Sequence, residues 1–236
     1  MYLRRTEHGT NFLTSLNNMK AVAILSGGLD STTSLYTALA EGHEVVEAIS
    51  FNYGQKHVRE LDKAADTCRR LGITHQIIDI SNLMGLLRSA LTNKDIEVPE
   101  GHYAEENMKA TVVPNRNMIM ISIAAGRAIS LDAEILVLGV HQGDHTIYPD
   151  CRPEFIAAMD HALDIGNWET ISLYTPFLDS DKTAVVKAGL ELNVPFMDTW
   201  TCYKGLEKAC GKCGSCVERR EAFELNGATD PLEYEI

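Results

Sequence analysis

No apolar run in this chain approaches the roughly 20 residues that a membrane-spanning helix needs. The best stretch, 118–131, is broken by Arg127. Basic side chains are also in short supply: 21 Lys and Arg stand against 33 Asp and Glu, a formal charge of −12. A protein that works by gripping phosphate backbones carries the opposite balance, so no direct nucleic-acid binding is expected. No repeat of fixed period and no low-complexity segment is visible, which argues against solenoids and disordered tracts. The first residues lack a secretory pattern, because Arg4 and Arg5 are followed by Asn11, Asn17 and Asn18 rather than by an apolar stretch. These absences lead to the expectation of a cytoplasmic protein with no membrane partner.

What is present is ordinary globular material. Hydrophobic residues make 45% and charged residues 23% of 236, enough for a real core. Short β-branched runs at 22–25, 45–51, 75–80, 134–140 and 171–176 alternate with helical patterns at 31–40, 55–71, 117–130, 154–165 and 181–192. In the second helix Val58, Leu61, Ala65, Cys68 and Leu71 recur at helical spacing and predict one apolar face. Ser180 or Asp181 is placed to cap the last helix. Strands of this length alternating with helices predict an α/β fold, a Rossmann-like parallel sheet covered by helices on both faces. Residues 1–19 read as an N-terminal extension and 20–197 as the α/β domain, while 198–236 reads as a small C-terminal module with a tail. The stretch 93–113, punctuated by Pro99 and Gly101, reads as a long loop that could cover a site.

Two motifs carry chemistry. Leu25-Ser26-Gly27-Gly28-Leu29-Asp30-Ser31-Thr32 leaves the first strand and opens the first helix. Free backbone N–H groups and the helix dipole favour an anion there, and paired glycines let main chain approach phosphate oxygens. Gly-Lys-Ser/Thr is absent, so this is not a Walker-type loop, and the glycine spacing is not the dinucleotide fingerprint. The second motif is Cys-x₇-Cys-x₂-Cys-x₂-Cys, formed by Cys202, Cys210, Cys213 and Cys216. Four clustered thiols suit tetrahedral Zn²⁺; a closed set of four ligands leaves no open position, so the metal would be structural. An iron–sulfur cluster uses similar ligands. Lys204, Lys208 and Lys212 lie nearby and offset thiolate charge.

The glycine string resembles the pyrophosphate loop of N-type ATP pyrophosphatases, which have the adenine nucleotide alpha hydrolase-like fold. Further motifs occur in order: Phe51-Asn52-Tyr53-Gly54-Gln55-Lys56-His57, Val113-Pro114-Asn115-Arg116-Asn117, Asp144 before Tyr148-Pro149-Asp150-Cys151-Arg152, Asp181-Lys182, and Thr201-Cys202-Tyr203. Together they resemble the 7-cyano-7-deazaguanine synthase family over about residues 20–220. The resemblance implies an ATP-consuming ligase that converts 7-carboxy-7-deazaguanine and ammonia to the nitrile, with Mg²⁺ assisting and a homodimeric state. It assigns Leu25, Ser26, Gly27, Gly28, Leu29, Asp30, Ser31, Thr32, Thr33, Ser34 and Leu35, with Phe51 and Tyr53, to ATP. Lys56, Arg116, Arg152 and Lys182 become candidate catalytic cations, and Asp150 a candidate partner for the guanine edge, with Tyr148 beside it.

Three features depart from that pattern. Asn115 stands where the family usually has glycine, His145-Thr146-Ile147 replaces an aromatic-Ser-Gly, and the first cysteine spacing is one residue shorter than in some members. Two rival readings share the phosphate-handling residues: a related ligase that stops at the amide or amidates another acid, and a tRNA-thiolating adenylase, which would require a catalytic Cys151.

Overall fold

A computed structural model of the chain describes residues 18–101 and 106–236. Most of the expected extension at 1–19 therefore lies outside the described residues. The chain folds around a sheet of five parallel strands in the order β3-β2-β1-β4-β5: β1 Lys20–Ile24, β2 Glu44–Asn52, β3 Thr74–Asp79, β4 Ile135–Val137 and β5 Ser172–Tyr174. The helices are α1 Leu29–Ala40, α2 Glu60–Leu71, the single turn α3 Ser81–Met84, α4 Arg116–Ser130, α5 Pro153–Gly166, α6 Lys182–Glu191 and α7 Gly214–Leu225. Among the described residues no helix is long and apolar enough to cross a membrane.

The sheet is apolar on both faces. Ala21, Ala23, Ala48 and Val137 pack with Leu35 and Ala38 of α1 and Ala64 and Cys68 of α2. Val22, Ile49 and Leu136 face Ile121 and Ala125 of α4 and Ile156 and Met159 of α5. A third cluster joins Leu29 to Val185 of α6 and Phe223 of α7, where the Phe196 and Phe223 rings meet edge to face at 5.2 Å. Arg127, which breaks the apolar run of α4 in the sequence, forms a bidentate pair with buried Glu47 of β2, both bonds 2.8 Å.

The differences from the sequence reading have local causes. The second helix begins at Glu60 rather than 55, because the preceding residues form turns; Val58 is consequently half exposed and the buried face is Glu60, Leu61, Ala64, Thr67 and Cys68. On either side of 102–105 the described parts of the polar stretch 93–113 are inlaid: Val98, Met108 and Val113 are buried, and 106–111 is a 3₁₀ turn. Asp181, not Ser180, caps α6, its Oδ1 accepting from the Ala184 N–H at 2.8 Å.

In the strand order, β1 leads outward to β2 and β3, whereas β4 and β5 lie on its other side. The reversal between β1 and β4 opens a crevice at their carboxyl ends, where ligands of such sheets bind. Gly139, just after β4, keeps this crevice narrow: a Cβ there would stand 2.6 Å from the backbone of Ser31.

Candidate active site

The crevice is a cavity of about 210 Å³. One corner is built by the chain leaving β1. Gly27 takes φ +83° and lies so close to α2 that a Cβ would stand 2.0 Å from the Glu60 carbonyl oxygen. Gly28 caps α1, and its N–H donates to Ser26 Oγ at 3.2 Å. The Ser26 and Ser31 hydroxyls are 2.9 Å apart, so one short loop presents hydroxyls beside the opening turn of a helix. Ser26, Gly28, Leu29, Asp30 and Ser31 line the cavity. Leu25, Thr32, Thr33, Ser34 and Leu35 are buried behind it; Thr33, for instance, donates to the Leu29 carbonyl at 2.8 Å. Phe51 is core, and Tyr53, two residues on, reaches the cavity.

A buried charge network adjoins this corner. Asp181 caps α6 and so aims Lys182 back at α1, where its Nζ meets both Asp30 oxygens at 2.7 Å and Glu218 Oε2 of α7 at 3.3 Å. Burial works against both charges, but the pairing with Asp30, then Glu218 and Asp144, raises the Lys182 pKa, and Lys182 in turn lowers that of Asp30. His141, after β4, adds to the cluster: Nδ1 accepts from the Gly143 N–H at 3.0 Å, which leaves Nε2 facing Asp144 at 3.6 Å and Asp30 at 3.8 Å.

The opposite wall holds a second cation. Arg116 opens α4 and lies over the rings of Tyr53 and Tyr148, 5.8 and 5.9 Å from their centroids. The Tyr148 hydroxyl is fixed by Thr111 Oγ1 at 2.7 Å. Asn115, immediately before Arg116, has φ +60° and ψ +18°. That is the left-handed region which glycine, and next to it asparagine, adopts most readily. The departure from the family's glycine is thus conformationally conservative. Asp150 braces the same helix: Oδ2 accepts the Asn117 N–H at 3.0 Å, and the Asn117 amide donates to the Asp150 carbonyl at 3.0 Å. Cys151 beside it lines the cavity, but burial, then the negative charges of Asp144 and Asp150, push its thiol pKa well up. A protonated thiol is a poor nucleophile.

Of the expected catalytic cations, Arg116 and Lys182 thus reach the cavity and Lys56 and Arg152 do not. Lys56 donates to the Ile96 carbonyl at 2.6 Å, pinning the inlaid stretch, and Arg152 Nε donates to the His145 carbonyl at 2.8 Å. Glu60, Glu218 and His141 were not legible in advance. Glu60 occupies a buried and Glu218 a half-buried helix position, where by pattern a carboxylate looks like an ordinary surface charge. His141 follows a strand with no motif to flag it.

The four cysteines are all buried, and their sulfurs lie within 4.8 Å of one another. Zinc–thiolate bonds of about 2.3 Å place tetrahedral sulfurs about 3.8 Å apart. The cluster therefore fits one ion, whereas a four-iron cube, whose thiolates bind separate irons, needs wider spacing. Backbone N–H groups already point at the sulfurs: Cys210 N–H donates to Cys202 Sγ at 3.3 Å, as does Cys213 N–H to Cys210 Sγ. Hydrogen bonds from Cys213 and then Cys216 hold Cys202 in the thiolate range. Cys213 caps α7, Cys216 lies in its first turn, and Glu218 follows at once, so one helix joins the sulfur cluster to Lys182.

A glycine loop on β1 at the switch point of a parallel sheet, with charge-paired Lys182 across from it, defines the class of nucleotide-binding α/β proteins with a pyrophosphate loop. A solved structure of the U34-tRNA thiolase NcsA from Methanococcus maripaludis, which carries a 4Fe–4S cluster, shares this fold with TM-score 0.51 and 17% identity, covering 90% of this chain and 67% of that one. The family model described as queuosine biosynthesis protein QueC matches residues 20–227. Relatives named 7-cyano-7-deazaguanine synthase are 54% identical in Marinomonas sp., over 92% of this chain and 98% of that protein, and 55% identical in Hahella chejuensis, over 94% and 96%. The chain belongs to the QueC family.

Proposed function

We propose that this chain is a ligase that converts 7-carboxy-7-deazaguanine and ammonia to 7-cyano-7-deazaguanine at the expense of ATP. The observation that carries the reading is the crevice itself, with the glycine corner and Lys182 on one side and Arg116 on the other, in a chain matched by its family across 20–227. A carboxylate is a poor acyl donor because oxide would have to leave. Its attack on the α-phosphorus of ATP expels pyrophosphate and forms an acyl-adenylate. Ammonia then displaces AMP to give the amide. The amide oxygen attacks the α-phosphorus of a second ATP, expelling pyrophosphate as one N–H proton is lost, and loss of AMP with the second N–H proton yields the nitrile.

Both activations develop negative charge on phosphate oxygens, so pre-placed donors lower both barriers. The loop's N–H groups and Lys182 serve the pyrophosphate. Arg116, held between two phenol rings, serves the substrate carboxylate and the α-phosphate. Mg²⁺ neutralises ATP charge when bound, and Asp30 and Asp144 are the carboxylates that would hold it. Cys202, Cys210, Cys213 and Cys216 would hold a structural Zn²⁺, which anchors residues 198–236 to the 20–197 domain. The substrates are free small molecules in the cytoplasm, and the working unit is a homodimer, which light scattering on the eluted protein tests.

The direct assay incubates the protein with the acid, ammonium and Mg-ATP and follows products by mass spectrometry. Nitrile with two AMP per turnover is expected. Amide without nitrile overturns the endpoint, and no turnover of the acid overturns the assignment.

A further inference from the structure

Glu60 is a buried carboxyl on the cavity wall that the phosphate chemistry does not use. We propose that Glu60 reads the pyrimidine edge of the deazapurine, accepting hydrogen bonds from its N1–H and 2-amino groups; this deepens the function proposed above and rests on it.

The argument begins with Gln55, whose amide orientation is fixed by two backbone bonds. Its Oε1 accepts the Tyr53 N–H at 2.8 Å, and its Nε2 donates to the Phe51 carbonyl at 3.1 Å. An amide locked in this sense must offer its remaining N–H to Glu60 Oε1, 3.0 Å away. That oxygen is therefore an acceptor. Glu60 Oε2 lies 3.5 Å from His57 Nε2. His57 is held neutral, burial and then the Arg116 charge depressing its pKa to about 3, so it supplies no counter-charge. No Lys or Arg forms an ion pair with Glu60 among the described residues; Arg116 acts on it through space. The structure thus holds a desolvated, oriented acceptor with nothing ionic to neutralise it.

Burial without a counterion pushes the Glu60 pKa up to about 8, against the attraction of Gln55 and Arg116. A guanine-type edge has two adjacent N–H donors, which match a carboxylate's two oxygens and favour its ionised form. Tyr53, Tyr203 and Trp200 supply ring surface in the same cavity, and Arg116 supplies the cation for the carboxylate. Acid and edge are thereby read by oppositely charged groups. Asp150, the earlier candidate for the edge, already accepts from α4.

The test compares kcat/KM for 7-carboxy-7-deazaguanine and for its analogue lacking the 2-amino group, in wild type and Glu60→Gln, at saturating ATP. Wild type should prefer the amino compound, and Glu60→Gln should shrink that preference by about 10- to 100-fold with the KM for ATP unchanged. An unchanged preference in the variant overturns the proposal. So does a loss confined to the KM for ATP, which would place Glu60 beside adenine. Should Glu60→Gln not fold, calorimetry of wild type in buffers of different ionisation enthalpy decides: binding the acid near pH 7 should release a proton, and binding without proton release overturns the proposal. Wild type that turns over neither acid overturns the parent reading as well, and is recognised because both compounds fail alike.

Discussion

The two walls of the crevice are made in opposite ways. The glycine corner comes from one uninterrupted string, Ser26 to Ser31, and its shape follows from backbone rules: a left-handed glycine, a helix start, and two hydroxyls five residues apart that meet. The facing wall collects Tyr53 after β2, Arg116 from α4 and Tyr148 ahead of a 3₁₀ turn, while Glu60 and Trp200 line the cavity next to the corner, packed against Gly27. The first wall can be broken by geometry alone. The second is altered chiefly through charge and hydrogen bonding.

The largest expected effect comes from the corner. Gly27→Ala combines a φ of +83° with a Cβ 2.0 Å from a carbonyl oxygen; ATP binding by fluorescence titration should vanish, and Tm should fall by about 5–10 °C. Next is Lys182→Met, which leaves half-buried Asp30 and Glu218 without their partner. Adenylation should drop by about 10³-fold in a pyrophosphate-release assay, with a stability loss of about 3–5 kcal/mol in urea. Smaller is the effect of Glu60→Gln on stability, which has a definite sign. The folded pKa of about 8 exceeds the ordinary 4.5, so this carboxyl supports folding below pH 4.5 and loses that support as pH rises through 8. The variant should therefore melt higher than wild type at pH 8, and the two should converge near pH 4.5. Smallest is Asn115→Gly, which keeps the left-handed turn; Tm should move by less than about 2 °C, whereas Asn115→Val should lower both Tm and the affinity for the acid.

The same contrast explains what could be read in advance. Strand–helix alternation and the glycine string are local, so the parallel sheet and its nucleotide corner were legible, as was the thiol cluster from its spacing. Helix α7 was not. Its apolar positions are few, and it is anchored by Arg219, a fully buried guanidinium that bonds Asp230, Thr199, Thr201 and the Phe196 carbonyl. An arginine in that role is indistinguishable, by pattern, from one facing water. Lys56 and Arg152 are motif residues that bond backbone carbonyls of neighbouring loops here, at Ile96 and His145.

Helix α7 also has a consequence for how the molecule responds to its surroundings. Cys216 of its first turn and its capping residue Cys213 belong to the thiol cluster, and Glu218 touches Lys182. Whatever steadies one end of a rigid element steadies the other, and such linkage is reciprocal. Nucleotide should tighten the affinity of the four thiols for an ion, read by chelator competition at equilibrium, by the same free energy with which the ion tightens nucleotide. An ion held by the four thiols would then be sensed at the crevice through a helix rather than at the reacting atoms.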